Sequence, residues 1–305
     1  MKENIIYGFL SFFISLFLLK YLIGFQKSKN IGKYIRKEGP SKHFEKTGTP
    51  IIGGIIFLLS LLPFLFFKET RFFSICVLSF GLLGLIDDLK LLRNKDYGIR
   101  PLRKLIITFI ISVILFSIYS PFDYRILWGS HLLYESKLLY FLLFIVLFMA
   151  IPNAVNLTDG LDGLAGSTTF ASLLALLFIN PSNNLLSVGI IVLLGALMGF
   201  LWYNIHPAQI FMSDVGAFAL GGAIAAVSVE KKLELLMIFV CGIFLLESLS
   251  VFIQVFFYKW KKRRVFLMSP LHHHFELKGW NETKIVGRFF IIHLVMMLGG
   301  ILLWV

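Results

Sequence analysis

Long apolar runs, separated by short polar connections, extend along the whole chain. A helix needs about 20 mostly apolar residues to span a bilayer, so each run predicts a membrane-spanning helix. We predict ten of them, and the third and the fifth are the weakest candidates for full spans. Their approximate limits are 4–24, 50–67, 72–88, 102–120, 137–152, 163–180, 185–203, 214–229, 233–258 and 286–305. The pattern therefore predicts an all-α, polytopic membrane protein with about ten transmembrane helices, built as one domain over residues 1–305.

Composition supports this class. Of the residues, 58% are hydrophobic and only 15% are charged, whereas about 25% of residues are charged in soluble proteins. The two cysteines, Cys76 and Cys241, lie inside apolar runs. We therefore expect buried or lipid-facing thiols, without a disulfide or a metal role.

Basic residues concentrate in alternate connections, after the first, third and ninth runs. They are Lys27, Lys29, Lys33, Arg36, Lys37, Lys42 and Lys46; Lys90, Arg93, Lys95, Arg100, Arg103 and Lys104; and Lys259, Lys261, Lys262, Arg263 and Arg264. By the positive-inside rule these connections face the cytoplasm, and an even number of spans places both termini outside. The net charge of +12 is then explained mainly by the basic residues that set the membrane topology. Attraction to anionic lipid and anionic substrate is a second effect of the same charge. A nucleic-acid partner is not expected.

Five polar motifs lie at the ends of these runs, all of them on the side of the membrane that is predicted to be cytoplasmic. They are KTGTPIIGG at 46–54, GLIDD at 84–88, NAVNLTDGLDGLAG at 153–166, NIHPAQIFMSDVG at 204–216 and SPLHHHFE at 269–276. Uncompensated carboxylates at a membrane boundary are costly and mark functional sites by default. We predict an active site at the cytoplasmic face of the membrane. The connection 121–136 has no such motif and is predicted to be a small hairpin or a surface loop.

The residue types in these motifs suit phosphoryl transfer. The carboxylates are oxygen donors of the kind that hold Mg²⁺ together with substrate phosphates; they are Asp87, Asp88, Asp159, Asp162 and Asp214. Glycines beside the run starts suggest helix N-termini with amide donors for phosphate; they are Gly48, Gly53, Gly54 and Gly216. Metal binding and positioning supply most of the catalysis in such reactions.

Other side chains in the motifs indicate a nucleotide-linked donor. Lys46 and the triplet 272–274 add positive charge or hydrogen-bond donors. Asn156 and Asn204 can read a base or sugar edge, and Phe211 offers a stacking face. Within the ninth run, Glu247 shares a helical face with Ser250 and Gln254, which indicates either an interhelical bond or the lining of a lipid groove. His293 is expected to be a packing residue.

Taken together and in this order, the five motifs resemble those of the phospho-N-acetylmuramoyl-pentapeptide transferase family. That family belongs to the polyprenyl-phosphate N-acetylhexosamine-1-phosphate transferases. The resemblance runs from about Lys46 to Glu276, and SPLHHHFE resembles the muramoyl branch in particular. The chain departs from the family pattern at Ser213, where Gly is usual, and at Ala217, where Ser is usual.

The resemblance implies a reaction and a set of roles. Phospho-MurNAc-pentapeptide would pass from UDP-MurNAc-pentapeptide to undecaprenyl phosphate, giving lipid I and UMP, with Mg²⁺ as cofactor, in the cytoplasmic membrane of a bacterium. Asp214, with Asp159, would hold the metal. The catalytic group would be Asp87, Asp88, Asp214, His272 and His273, and the substrate-binding group Lys46, Asn156, Asp159, Asp162, Asn204, Phe211 and His274. Membrane lipid is a further partner, and a homodimer is one assembly to consider.

Mechanism and substrate leave alternatives open. A phosphate monoester is mostly dianionic at pH 7, so Asp87 or Asp88 need not act as a strong base. Direct attack by the lipid phosphate on the β-phosphorus is favoured, and a covalent aspartyl intermediate stays open. The donor could instead be UDP-GlcNAc, although SPLHHHFE argues against it. A transporter of cations or nucleotide sugars is disfavoured, because transporters place polar groups near the midplane of the membrane.

Overall fold

A computed structural model describes residues 2–32, 46–94, 98–119, 123–179 and 185–304. In that part the chain forms helices α1 to α12 and one two-stranded sheet. The helices are Lys2–Ser28 (α1), Ile55–Leu61 (α2), Lys68–Asn94 (α3), Pro101–Tyr119 (α4), Lys137–Thr158 (α5), Leu164–Phe178 (α6), Leu185–Asn204 (α7), Ser213–Glu230 (α8), Met237–Val240 (α9), Gly242–Lys261 (α10), Leu271–Leu277 (α11) and Glu282–Trp304 (α12). The strands are Arg125–Trp128 (β1) and His131–Glu135 (β2). The predicted all-α class is confirmed.

Eight of the helices in the described residues are long and apolar enough to cross a membrane: α1, α3, α4, α5, α7, α8, α10 and α12. Two others are apolar but shorter, Ile55–Phe66 and Leu164–Phe178. Each predicted run thus coincides with a helix, but the helices that are shorter than a full span belong to the second and sixth runs. The third and fifth, expected to be the weakest, form helices of 27 and 22 residues, because the polar motifs at their ends continue the helix.

Local sequence explains the short members. After α2 the chain tightens into a 3₁₀ turn, Leu62–Phe66, with Pro63 near its start; proline cannot donate the backbone hydrogen bond that an α-helix needs there. Helix α6 begins only after Gly163, which has a φ of 78°. The ninth run is divided at Cys241 into α9 and α10.

Helix α8 forms the centre of the bundle. Its interior positions are buried on all sides, as expected for a helix that is apolar around its whole circumference. It packs against α3, α5, α6 and α2. Small residues allow this close packing: a Cβ added to Gly54 would lie 2.1 Å from the Cα of Gly216. These two glycines therefore serve the contact between α2 and α8.

Helix α1 lies at the edge of the bundle and packs mainly on α7. Its buried polar residues follow one helical face. Ser11 donates from Oγ to the carbonyl of Val192 at 2.7 Å. Near the other end of α1, the amide of Gln26 donates to the carbonyl of Ile51 and accepts from its N–H, both at 2.8 Å. This bond pair fixes the segment that enters α2.

The bundle end opposite to the motifs is held by lysines and a hairpin. Strands β1 and β2 pair antiparallel, which confirms the predicted hairpin for the described residues 123–136; residues 121 and 122 lie outside the described part. Trp128 donates from Nε1 to the carbonyl of Leu303 at 3.0 Å. Lys231 donates from Nζ to the carbonyls of Leu176, Leu177 and Ile179 at 2.7, 3.3 and 3.2 Å. The first turn of α1 and the last turn of α12 lie at this end.

Three buried residues behave as the sequence predicts. Cys76 and Cys241 are free and buried. His293 is fully buried, with Nε2 3.0 Å from the hydroxyl of Ser172. Both cysteines and His293 are therefore packing residues in this fold.

Candidate active site

The five motifs meet at one end of the bundle, around a cavity of about 690 Å³. Eight of the twelve predicted site residues line it: Lys46, Asp88, Asn156, Asp159, Asp162, Asn204, Phe211 and Asp214. The helices bring them together because α3, α5 and α7 end here and α6 and α8 begin here. Most of the basic connection 26–49 cannot be placed, since residues 33–45 lie outside the described part.

One group of charged residues, which we call the acidic centre, comprises Asp87, Asp88, Asp214 and Lys104. The ammonium group of Lys104 lies 2.6 Å from Oδ2 of Asp87 and 2.5 Å from Oδ2 of Asp214. Asn156 donates from Nδ2 to Oδ1 of Asp214 at 2.8 Å, and the backbone N–H of Ile99 donates to Asp87. Three carboxyl groups and one ammonium group thus lie together, and two of the carboxyl groups, those of Asp87 and Asp214, pair with the ammonium.

The two neighbouring carboxylates of GLIDD have different partners. Asp88 accepts hydrogen bonds from the backbone N–H groups of Asp214 and Val215, at 3.2 and 2.9 Å. It therefore caps the first turn of α8, where a negative charge is favourable. The N-cap residue of α8, Met212, makes no side-chain cap bond. The cap leaves the carboxylate of Asp214 directed toward Lys104 and Asn156.

A second charged group, the rim junction, comprises Lys46, Asp162, His206 and Glu282. Nζ of Lys46 lies 2.6 Å from Oδ1 of Asp162 and 2.6 Å from Oε1 of Glu282. The other oxygen of Asp162 accepts from the N–H of Ala208 at 3.1 Å and lies 3.0 Å from Nδ1 of His206. The junction thus joins four segments that are distant in sequence.

Both members of the Lys46–Asp162 pair stay charged. Burial alone would lower the pKa of Lys46 and raise the pKa of Asp162, but their mutual hydrogen bond and charge interaction outweigh it. The pKa of Lys46 therefore lies above its usual value and that of Asp162 below. Ligand atoms of Asp162, His206 and Glu282 lie within 4.8 Å of one another, a spacing that could hold a metal ion. Lys46 supplies the cation there instead.

Asn204 and Phe211 hold the loop between α7 and α8. Asn204 is buried; its Oδ1 accepts from the N–H of Gly163 at 3.0 Å and its Nδ2 donates to the carbonyl of Ile210 at 2.9 Å. Phe211 donates its N–H to the carbonyl of Pro50 at 2.8 Å. Asn204 thus uses its amide for the backbone, whereas Phe211 lines the cavity.

The glycines of the first motif, KTGTPIIGG, differ from expectation. The N–H groups of Gly53 and Gly54 donate to the carbonyls of Phe211 and Met212, at 2.9 and 3.1 Å. These amides are therefore occupied within the fold and are not donors for phosphate. Gly48, by contrast, lines the cavity.

The three histidines point in different directions. Nδ1 of His272 lies 3.1 Å from Oε1 of Glu247, and both side chains are buried; a Cβ added to Gly160 would lie 2.1 Å from Nε2 of His272. His272 therefore stands directly behind a residue of the cavity wall. His273 pairs with Glu276 at 2.6 Å, and His274 accepts from the N–H of Leu267 at 3.1 Å. Glu247, for which two roles were open, bonds to the segment that holds these histidines.

Similar proteins are consistent with one family. A family model described as "Glycosyl transferase family 4" matches residues 70–232. A phospho-N-acetylmuramoyl-pentapeptide-transferase from Dictyoglomus thermophilum is 63% identical over 297 residues, 97% of each chain. A protein of the same name from Dictyoglomus turgidum is 65% identical over 96% of each chain. Another from Bacillus subtilis is 37% identical over 96% of this chain and 95% of its own. The chain belongs to the phospho-N-acetylmuramoyl-pentapeptide transferase family.

Both departures from the pattern of the phospho-N-acetylmuramoyl-pentapeptide transferase family lie at the start of α8. Ser213 has a φ of 60°, in the left-handed region that glycine adopts without cost. Its hydroxyl accepts a hydrogen bond from the N–H of Ile52 at 3.1 Å, a contact that glycine could not make. Ala217 is fully buried in α8. Ser213 therefore keeps the backbone shape and adds a bond between two motifs.

Sequence reasoning missed three ionisable residues of the site. Lys104 was counted only among the basic connections, although it lies one turn inside the apolar α4. His206 belongs to a quoted motif but received no role. Glu282 follows the last motif and lies just before the predicted run 286–305; in the structure it is the acidic residue of the first turn of α12.

Proposed function

We propose that this protein transfers phospho-MurNAc-pentapeptide from UDP-MurNAc-pentapeptide to undecaprenyl phosphate, releasing UMP and forming lipid I. One observation carries the proposal: residues of four of the five motifs line a single cavity, and the fifth motif lies behind its wall, with His272 against Gly160. The names of full-length relatives favour this donor over UDP-GlcNAc. The whole chain, 1–305, acts as one integral-membrane transferase domain.

The acidic centre suits Mg²⁺ as cofactor. Asp87 and Asp214 share one ammonium there, and Asp88 lies beside them on the backbone of α8; hard oxygen donors of this kind are what this ion requires. Asp214, with Asp159 on the same cavity wall, would hold it. When bound, the ion supplies charge neutralisation to the pyrophosphate oxygens of the donor.

The chain's own residues then position two phosphates. The lipid phosphate attacks the β-phosphorus, the new P–O bond forms, and the bond to the α-phosphate oxygen breaks to release UMP. Lys104 holds Asp87 and Asp214 in place and reduces the repulsion that the incoming dianion meets. No strong base is required, because the attacking phosphate is already mostly deprotonated at pH 7.

On the nucleotide side, the cavity wall supplies the remaining contacts. Phe211 offers its ring to the uracil, and Asn156 holds Asp214 toward the pyrophosphate. Lys46, Asp162 and Asn204 shape the pocket around the nucleoside. His272, behind Gly160, and its neighbour His273 would act on the sugar-phosphate side from behind this wall, with His274 in the same short helix. A homodimer stays a prediction.

The same proposal assigns the orientation in the membrane. The described parts of the basic connections stand at the cavity end of the bundle, and the cytoplasmic side is where positive loops remain. The site therefore faces the cytoplasm of a bacterium, where UDP-linked donors are made. The first turn of α1 and the last turn of α12, at the opposite end of the bundle, then face outward.

The test is UMP release by the purified protein with undecaprenyl phosphate and Mg²⁺, supplied with either UDP-MurNAc-pentapeptide or UDP-GlcNAc. Turnover with the muramoyl donor alone, lost with EDTA and in Asp214→Ala, is the expected result. Turnover with UDP-GlcNAc alone would overturn the choice of donor. Full activity in EDTA would overturn the metal.

A further inference from the structure

Glu282, at the start of α12, is bonded to two residues of the cavity wall without lining that cavity itself. Its Oε1 accepts from Nζ of Lys46 and from the backbone N–H of Asp162, both at 2.6 Å. Its side chain is 13% exposed. Glu282 thus stands behind the wall as seen from the main cavity. It lines a second cavity of about 580 Å³ on the other side of the rim junction.

The two bonds act on groups that would otherwise be mobile. A lysine side chain has many rotamers when it is free, and its ammonium group has three donors. Within the described residues, two of these donors are directed to Asp162 and Glu282. The remaining donor therefore has a fixed direction. Without Glu282, Lys46 would have one carboxylate and a much wider range of orientations.

The bond to the N–H of Asp162 fixes backbone as well as side chain. Asp162 lies in the turn between α5 and α6, together with Asp159 and Gly160, which line the main cavity. The carboxylate of Asp162 is held separately by Lys46, His206 and Ala208. Glu282 therefore ties the last helix of the chain to the turn that supplies the cavity wall.

From this geometry we propose that Glu282 is a positioning residue: it orients Lys46 and the Asp159–Asp162 turn for the nucleotide part of the donor. The proposal rests on the proposed function for the identity of that donor. Because Glu282 acts on a wall of the binding pocket and not on the reacting phosphates, its loss weakens donor binding more than it slows the chemical step.

The experiment compares Glu282→Ala and Glu282→Gln with the matched control Glu69→Gln. Glu69 is also in the first turn of a membrane helix, and it is exposed. For each variant, UMP binding is measured by calorimetry, KM and kcat by UMP release, and the thermal midpoint by dye fluorescence. In Glu282→Ala we expect a rise in KM for the donor of about tenfold, an equal loss of UMP affinity, and a kcat within about threefold of the parent protein. Glu282→Gln keeps an acceptor for the N–H of Asp162, so its KM and its UMP affinity should lie between those of the parent protein and those of Glu282→Ala.

A double variant separates positioning from general damage. If Glu282 acts through Lys46, then Lys46→Met should add little in the Glu282→Ala background, since residues in one network are not additive. Unchanged UMP affinity in both Glu282 variants, or full additivity with Lys46→Met, would overturn the proposal. Should Glu282→Ala not fold, Glu282→Gln and Glu282→Asp decide it. If the parent protein released no UMP from the muramoyl donor, the proposed function would fail, while UMP binding would still decide the role of Glu282.

Discussion

The two ends of this bundle use buried charge in opposite ways. At the end opposite to the cavity, Lys231 donates to three backbone carbonyls at the end of α6, and Glu234 accepts from the hydroxyl of Tyr140 at 2.6 Å. At the cavity end, Lys46 and Lys104 each lie between two carboxylates. One end uses charge to complete the fold, and the other keeps an excess of carboxylate beside an open cavity.

The pKa values of Lys231 and Lys46 are shifted in opposite directions, in line with this difference between the two ends. Burial among neutral carbonyls lowers the pKa of Lys231. Burial also acts to lower the pKa of Lys46, but its carboxylate partners raise it overall. A buried ammonium with neutral partners indicates a structural cap, whereas one that holds carboxylates beside a cavity indicates a site.

The largest expected effect is on catalytic activity, which a substitution at the cavity end should reduce and a substitution at the opposite end should not. Asp214→Asn should lower kcat/KM for UMP release by about 1,000-fold, about 4 kcal/mol of transition-state stabilisation. Asp123→Asn, at the opposite end, should leave kcat/KM within about twofold, because the carboxylate of Asp123 pairs with Arg125 at the surface, far from the cavity. Retention of a tenth or more of the activity in Asp214→Asn would contradict the assignment of function to the cavity end.

The next effect separates the ends by stability. Lys231→Met removes a charged donor from three carbonyls and should lower the free energy of unfolding by about 2 kcal/mol, with KM for the donor unchanged. Thermal unfolding in detergent measures it, and Lys68→Met, an exposed lysine at the same end, is the control. An equal fall in stability in Lys231→Met and Lys68→Met would show that the bonds of Lys231 to the carbonyls contribute no extra stability.

A smaller effect tests the backbone at the start of α8. Ser213→Ala keeps the left-handed φ and loses the bond to Ile52, so it should cost about 1 kcal/mol. Ser213→Gly loses the same bond but removes about 1 kcal/mol of backbone strain, so its stability should match the parent protein. Chemical unfolding of both variants measures the difference. Equal stability of the Ala and Gly variants would mean that the φ of Ser213 carries no strain.

The smallest expected effect is the pH dependence of the Lys46–Asp162 pair. The pKa of Asp162 is lowered from 3.8 and that of Lys46 is raised from 10.5 in the folded state. The pair's contribution is therefore lost only as pH falls through the folded pKa of Asp162 or rises through that of Lys46. The difference in thermal midpoint between the parent protein and Lys46→Met should be the same at pH 8 and pH 9, a range above that in which histidine side chains usually change charge. A difference that changes between these two values would indicate that another group titrates in the junction.

The sequence was most informative where a signal is repeated. The apolar runs predict the helices because each extends over many residues, and five motifs at alternate run ends predict one shared cavity. Helix ends were harder to predict, since Asp87 and Asn156 are polar yet continue α3 and α5. Single residues were hardest: Lys104 and Glu282 have no motif of their own, and only the packing of distant helices reveals their partners.

The shortness of α6 has a consequence for where lipid meets the site. Its 15 residues rise about 22 Å, about 8 Å less than the thickness of the hydrocarbon core. The last turn of α6 is bound by Lys231, whose charge belongs at the membrane surface, so the shortfall lies at the cavity end. We expect the floor of the cavity to be sunk below the level of the lipid head groups. A lipid phosphate could then enter from the side while its chain stays within the bilayer.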